Sequence, residues 1–225
     1  MVKRYAGRVR YRDRIDAGHA LVADLRAANF GGSDLRPIVL GVARGGVVVA
    51  APVALAFGAP LGVIVACKLG APGNPELAIG AIGRSGEAFV DDGLAQRLRV
   101  SPEYLRTEIE RQRRRIDERV ARYGVGADEP DYTRCEVAVV DDGVATGATL
   151  IAALRSVRAA APERLICAVP VGPPETLRRL EAEADVVVCP NRPAMFAAVG
   201  QWYEDFRQTT DAEVMELLEA SRAQS

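Results

Sequence analysis

Apolar residues fall in short unbroken runs separated by amphipathic stretches, and the two alternate from about residue 16 to residue 190. Residues 37–42, 61–67, 136–141, 165–170 and 185–189 read as strands, because contiguous β-branched and aliphatic side chains suit a sheet covered on both faces. Helical periodicity fills the gaps. Asp16 is a candidate cap for a helix with Ala20, Leu21, Leu25 and Ala28 on its apolar side, ending before Gly31 and Gly32. Residues 47–57 form a second helix, with Pro52 expected in its first turns or at a kink. Ser101 as cap and Pro102 at the first position open a long helix whose stripe is Leu105, Ile109, Ile116, Val120 and Tyr123. Further helices are expected at 147–160 and 175–182, and a last one from Asp211.

Residues 69–86 break the pattern. Gly, Pro, Asn and Ser crowd the segment from Gly70, with turn signals in succession at Ala71-Pro72-Gly73-Asn74-Pro75, and a flexible loop is expected there. The whole reads as one domain, 1–225, of α/β class with a doubly wound, mostly parallel sheet. Its core spans about residues 16–190 and its tail about 191–225.

Composition narrows the function classes. With 225 residues, 49% apolar and 26% charged, the chain has material for an ordinary globular core and does not read as a disordered tail. No apolar run approaches the roughly 18 residues of a membrane helix. Twenty-nine basic against thirty acidic residues leave a net charge of −1, which argues against nucleic acid or an anionic membrane as the main partner. The arginine-rich stretch 111–115 lies in a helix that interleaves acids around an apolar stripe, as a solvated face would. Cys67, Cys135, Cys167 and Cys189 are widely separated and sit in or beside apolar runs, so small buried thiols are expected, and one histidine, His19, makes a zinc site a poor reading. The basic N-terminal stretch lacks the apolar segment of a secretory signal, and a cytoplasmic protein is expected.

The candidate chemistry lies at 137–149. Four apolar residues, Val137, Ala138, Val139 and Val140, deliver Asp141 and Asp142 to the C-terminal end of a strand, where open α/β sheets bind ligands. Ala145, Thr146, Gly147, Ala148 and Thr149 then open a helix, whose unpaired N–H groups and dipole favour a phosphate. Two acids beside an anion pocket call for a ligand with both a phosphate and hydroxyl donors, and a ribose 5-phosphate fits. Neither a Walker lysine nor a G-x-G-x-x-G after the first strand is present, so kinase and dehydrogenase readings drop away.

This segment resembles the 5-phosphoribosyl-1-diphosphate (PRPP) signature of type I phosphoribosyltransferases. The resemblance implies that fold, with a small hood from the chain ends. It also implies that Asp141 and Asp142 bind the ribose 2- and 3-hydroxyls, and that residues 145–149 hold the 5-phosphate. Ala43, Arg44, Gly45 and Gly46 resemble the family's pyrophosphate loop, which implies a cis peptide near Ala43-Arg44. Lys68 stands where relatives of adenine phosphoribosyltransferase begin a catalytic flexible loop, with Cys67 replacing the usual Arg, and Lys68 is the expected pyrophosphate contact. Glu76 is a candidate acid or base. The stretch 196–206 resembles the hood of hypoxanthine-guanine phosphoribosyltransferase, making Phe196, Trp202 and Tyr203 candidate base-stacking residues. Mg²⁺ is implied as cofactor, held mainly through PRPP. The full chain resembles a bacterial branch of phosphoribosyltransferases of unassigned substrate.

The expected activity is therefore transfer of a phosphoribosyl group from PRPP to a nitrogen acceptor, a nucleobase, in a protein that can form homo-oligomers. The alternative is a PRPP-binding regulator without transferase activity that binds RNA through its arginine-rich helix.

Overall fold

A computed structural model describes residues 3–5, 8–83, 86, 88–124 and 131–223. Strands β1 (Lys3–Tyr5) and β2 (Arg8–Arg10) pair antiparallel ahead of α1 (Arg14–Ala27). Then follow β3 (Arg36–Val42), α2 (Gly45–Phe57), β4 (Leu61–Ile64), β5 (Ala66–Ala71), β6 (Asn74–Gly83), β7 (Ala88–Val90), α3 (Asp92–Arg97) and α4 (Pro102–Arg122). The second half runs β8 (Cys135–Val140), α5 (Ala148–Ala159), β9 (Arg164–Ala168), α6 (Pro174–Leu180), β10 (Val186–Val188), a 3₁₀ turn (Val199–Trp202) and α7 (Asp211–Arg222).

The main sheet has the order β10-β9-β8-β3-β4, and every pairing is parallel. Side chains alternate between two cores. Val39, Ala138, Val140, Ile166 and Ala168 pack under α1 and α2 with Leu21, Leu25, Val49 and Val53. Leu40, Val42, Val137, Val139, Leu165 and Cys167 face the opposite way onto Leu150, Ile151, Leu154 and Leu177 of α5 and α6. Both faces are thus dry, which explains the unbroken apolar runs of these strands. The order reverses between β3 and β8, and a sheet of this kind opens a crevice at the C-terminal ends of those two strands.

Three expectations are corrected. The cap of α1 is Asp13, whose carboxylate accepts the Asp16 N–H, while the Asp16 carboxylate is buried and takes the Arg12 N–H and guanidinium. Residues 61–67 are not one strand: β4 ends at Ile64, and β5 turns away to pair with β6. The segment expected as a flexible loop is instead most of a three-stranded antiparallel sheet, β5-β6-β7, turning at Pro72-Gly73 with Gly73 at φ +72°. Its apolar residues Leu69, Ile79 and Ile82 are wholly buried against α4.

A ladder irregularity at Leu69, Gly70 and Ala71 is filled by α4. The Gly70 N–H donates to the buried Glu108 carboxylate at 3.1 Å, and its carbonyl accepts the Tyr104 hydroxyl at 2.9 Å. Pro52 lies beyond the first turns of α2 and packs beside Gly18 of α1, where a Cβ would come within 2.5 Å of its ring. The four cysteines are buried free thiols. The C-terminal segment returns to the N-terminal one, as a hood from the chain ends requires. The Tyr11 N–H donates to the Trp202 carbonyl at 2.9 Å, and Glu204 N–H to the Tyr11 carbonyl at 2.8 Å. No helix among the described residues is long and apolar enough to cross a membrane.

Candidate active site

The crevice is framed by the loops that leave β3 and β8. Gly41 and Val140 are paired in register, so both loops begin at the same height. From β3, Ala43 and Arg44 are joined by a cis peptide and lead into α2. Among the described residues, the N–H groups of Arg44, Gly45 and Gly46 have no hydrogen-bond acceptor, and no side chain caps this helix start. The two loops touch because neither glycine has a side chain. A Cβ at residue 45 would land on the Asp142 carboxylate, and one at residue 46 would sit 2.6 Å from the Val140 carbonyl and 3.0 Å from Asp141 Oδ1.

From β8 come the two acids. Burial and the neighbouring Asp142 carboxylate push the Asp141 carboxyl well above the usual range, although it accepts the Asp142 N–H at 2.8 Å. Burial also raises the Asp142 carboxyl, opposed by the Arg14 guanidinium. Arg14 Nε donates to Asp142 Oδ2 at 2.8 Å, with side-chain exposures of 11% and 15%. The same guanidinium donates to the Arg207 carbonyl at 2.8 Å and lies 4.0 Å from the centroid of the Phe206 ring. The Tyr203 hydroxyl donates to the Asp142 carbonyl. Arg14 and the Tyr203 hydroxyl are therefore parts of the site that sequence reasoning did not assign. Nothing in the spacing of the basic N-terminal run marks Arg14 out.

Beyond the acids, the loop 145–149 turns its N–H groups loose. Ala145 and Thr146 are exposed, Gly147 takes φ +82° as the cap of α5, and no side chain bonds this helix start. Among the described residues, the N–H groups of 145–149 have no acceptor. Its carbonyls are committed instead: Ala145 O accepts the Thr176 hydroxyl at 2.6 Å and Thr146 O accepts Arg179 Nη1 at 3.1 Å. Two helix starts with unsatisfied donors thus flank two half-buried carboxylates, an arrangement that attracts an anion carrying hydroxyl groups.

The other expected residues are placed unevenly. The Arg44 side chain leans toward Asp211 of α7, at 3.9 Å, where Asp211 also accepts the Tyr123 hydroxyl at 2.6 Å and an Arg122 hydrogen bond. Lys68 is a half-buried mid-strand residue of β5, opposite Ala81, rather than the root of a loop. It follows β4, whose last carbonyl, Ile64 O, accepts the Ala43 N–H at 3.0 Å. The side chain of Glu76 lies outside the described residues.

Two of the aromatic assignments are corrected. Trp202 and Tyr203 are each 2% exposed and pack with Tyr11, Ala17 and Val171, so they are core. Tyr203 is flanked by the rings of Tyr11 and Phe206 at 5.6 and 5.0 Å, which leaves it no free face for an acceptor ring. Phe196 is half-buried, stacked parallel on Trp202 at 6.3 Å.

A parallel sheet whose switch point carries two open helix starts and a half-buried acid pair defines a protein of the doubly wound α/β class. Comparison with known proteins places it further. The family model described as "Phosphoribosyl transferase domain" matches residues 12–207. Two curated proteins named "Putative phosphoribosyl transferase", from Mycobacterium tuberculosis strains CDC 1551 / Oshkosh and ATCC 25618 / H37Rv, are each 41% identical over 207 residues. The match covers 92% of this chain and 46% of theirs, so the chain spans about half the length of the curated relatives it matches. The crystal structure of TT1426 from Thermus thermophilus is 42% identical, covers 93% of this chain and 97% of that one, and superposes with a TM-score of 0.74. The chain belongs to the type I phosphoribosyltransferase family.

Proposed function

We propose that the protein transfers the 5-phosphoribosyl group of PRPP to a nitrogen acceptor, a nucleobase, with release of pyrophosphate. The observation that carries this reading is the set of N–H groups at 145–149 without an acceptor among the described residues, beside the half-buried Asp141 and Asp142. Residues Ala145, Thr146, Gly147, Ala148 and Thr149 receive the 5-phosphate. Asp141 and Asp142 accept the ribose 2- and 3-hydroxyls. The N–H groups of Arg44, Gly45 and Gly46, beside Ala43, face the diphosphate, and Arg44 and Lys68 supply positive charge to it. As the bond from the ribose carbon to pyrophosphate breaks, charge grows on the leaving oxygen and oxocarbenium character on the sugar, and donors fixed in place lower that barrier. Phe196 is the remaining candidate for stacking on the acceptor. The protein acts in the cytoplasm, as a monomer or a homo-oligomer.

Mg²⁺ fits the donor set. Asp141 offers hard carboxylate oxygen beside the two helix starts. That suits an ion carried largely by diphosphate oxygens and water. When bound, it neutralises charge on the leaving group.

Pyrophosphate release from PRPP and Mg²⁺ across a nucleobase library tests the activity. Release with one base supports it. PRPP binding without release for any base favours a second reading, a PRPP-binding regulator, which the burial of Trp202 and Tyr203 supports by removing two expected acceptor contacts.

A further inference from the structure

We propose that Thr176 and Arg179 of α6 are positioning residues for the 145–149 loop, and that their bonds to its carbonyls aim its N–H groups at the phosphate. The inference rests on the reading of that loop as the seat of the donor's 5-phosphate. In a planar trans peptide, the carbonyl of one residue and the N–H of the next point in opposite directions. Fixing the Ala145 carbonyl on the Thr176 hydroxyl therefore fixes the direction of the Thr146 N–H, and fixing the Thr146 carbonyl on Arg179 does the same for the Gly147 N–H.

Thr176 and Arg179 are three residues apart on one helix and so share a face. That helix is anchored by Leu177 and Leu180, which are 1% and 0% exposed in the core beneath the sheet. Thr176 is itself buried, and its methyl leaves no room for a side chain at residue 147, where a Cβ would come within 2.9 Å. Without the brace, the peptides at 145–146 and 146–147 can rotate, and affinity falls by the fraction of time the donors face inward.

Titration calorimetry with PRPP in Mg²⁺ buffer tests this, using Thr176→Val, which keeps the volume and loses the bond, and Thr176→Ser, which keeps the bond and loses the methyl. The expected result is affinity about tenfold weaker for T176V, as for one lost hydrogen bond, and within about threefold of the parent for T176S. In any assay with turnover, the T176V loss should fall in KM for PRPP more than in kcat. A purely packing role would weaken T176S at least as much. Arg179→Ala, at an exposed site, gives a second readout should T176V not fold, with a loss of about threefold expected for a bond at the surface. Parent-like binding by T176V, or by R179A where only that variant folds, overturns the inference and leaves the reading of the loop intact. No PRPP binding by the parent protein overturns both.

Discussion

Arg14 and Asp142, 128 residues apart in sequence, meet at 2.8 Å, and the contact joins the first turn of α1 to the second acid of the signature. The pair explains how Asp142 stays at the crevice wall beside a second carboxylate. Arg14 is in turn fixed by the Phe206 ring and the Arg207 carbonyl, so the C-terminal segment holds the guanidinium that balances the acids.

Removing one partner should therefore be costly. Arg14→Met leaves a half-buried carboxylate without its guanidinium, and a loss of about 1–3 kcal/mol in urea unfolding is expected. Arg14→Met combined with Asp142→Asn should cost clearly less than the sum of the two single changes. Additive losses would show that the contact carries no coupling.

The glycines between the loops make a sharper test. Gly45→Ala drives a methyl into the Asp142 carboxylate, which is held by Arg14 and cannot retreat freely. PRPP affinity should fall more than tenfold, equivalent to over about 1.4 kcal/mol. Far-ultraviolet circular dichroism should remain that of the parent. Undiminished affinity would mean that the loops do not jointly form the site.

Lys68→Ala should lower turnover at saturating PRPP by roughly 10- to 150-fold, or about 1.5–3 kcal/mol of transition-state stabilisation, through loss of the ammonium that meets the departing pyrophosphate. Unchanged turnover at saturating PRPP would remove Lys68 from the chemistry and leave it as part of the hairpin.

Glu108 predicts a pH effect on stability. Burial would raise its carboxyl, but hydrogen bonds from Arg111, Gln112 and the Gly70 N–H outweigh this and hold it below the ordinary value. Folding then favours the ionised form. The stabilisation is fully present above the unfolded value of about 4.3 and is lost as pH falls through the lower folded value. Glu108→Gln should cost about 1–2 kcal/mol at pH 7 and progressively less below pH 4, measured by urea midpoints. A gap that stays constant between pH 7 and pH 3 would refute the assignment.

The acid pair, both glycine loops and the α/β order are legible in the sequence because each depends on local pattern. The strand read at 136–141 and the helix read at 147–160 each lie within one residue of the observed bounds of β8 and α5. The hairpin is hidden for a physical reason. β5 and β6 are rich in Gly and Ala, so their composition imitates a loop, and their strand character comes from packing Leu69, Ile79 and Ile82 on distant α4. The run 61–67 misleads because an apolar stretch does not record that the chain changes sheets after Ile64. Trp202 and Tyr203 look like ligand contacts while their partner Tyr11 is far away in sequence, and Arg14 looks ordinary for the same reason.

Because Gly45 and Gly46 lie flush against Asp142 and Asp141, the loops that leave β3 and β8 have no room for a side chain between them. Neither can drift alone: a lineage that enlarges one side must reshape the other in step. On the proposed function, room to vary specificity lies away from these loops and toward the C-terminal segment, where Phe196 is half-buried and Met195 exposed.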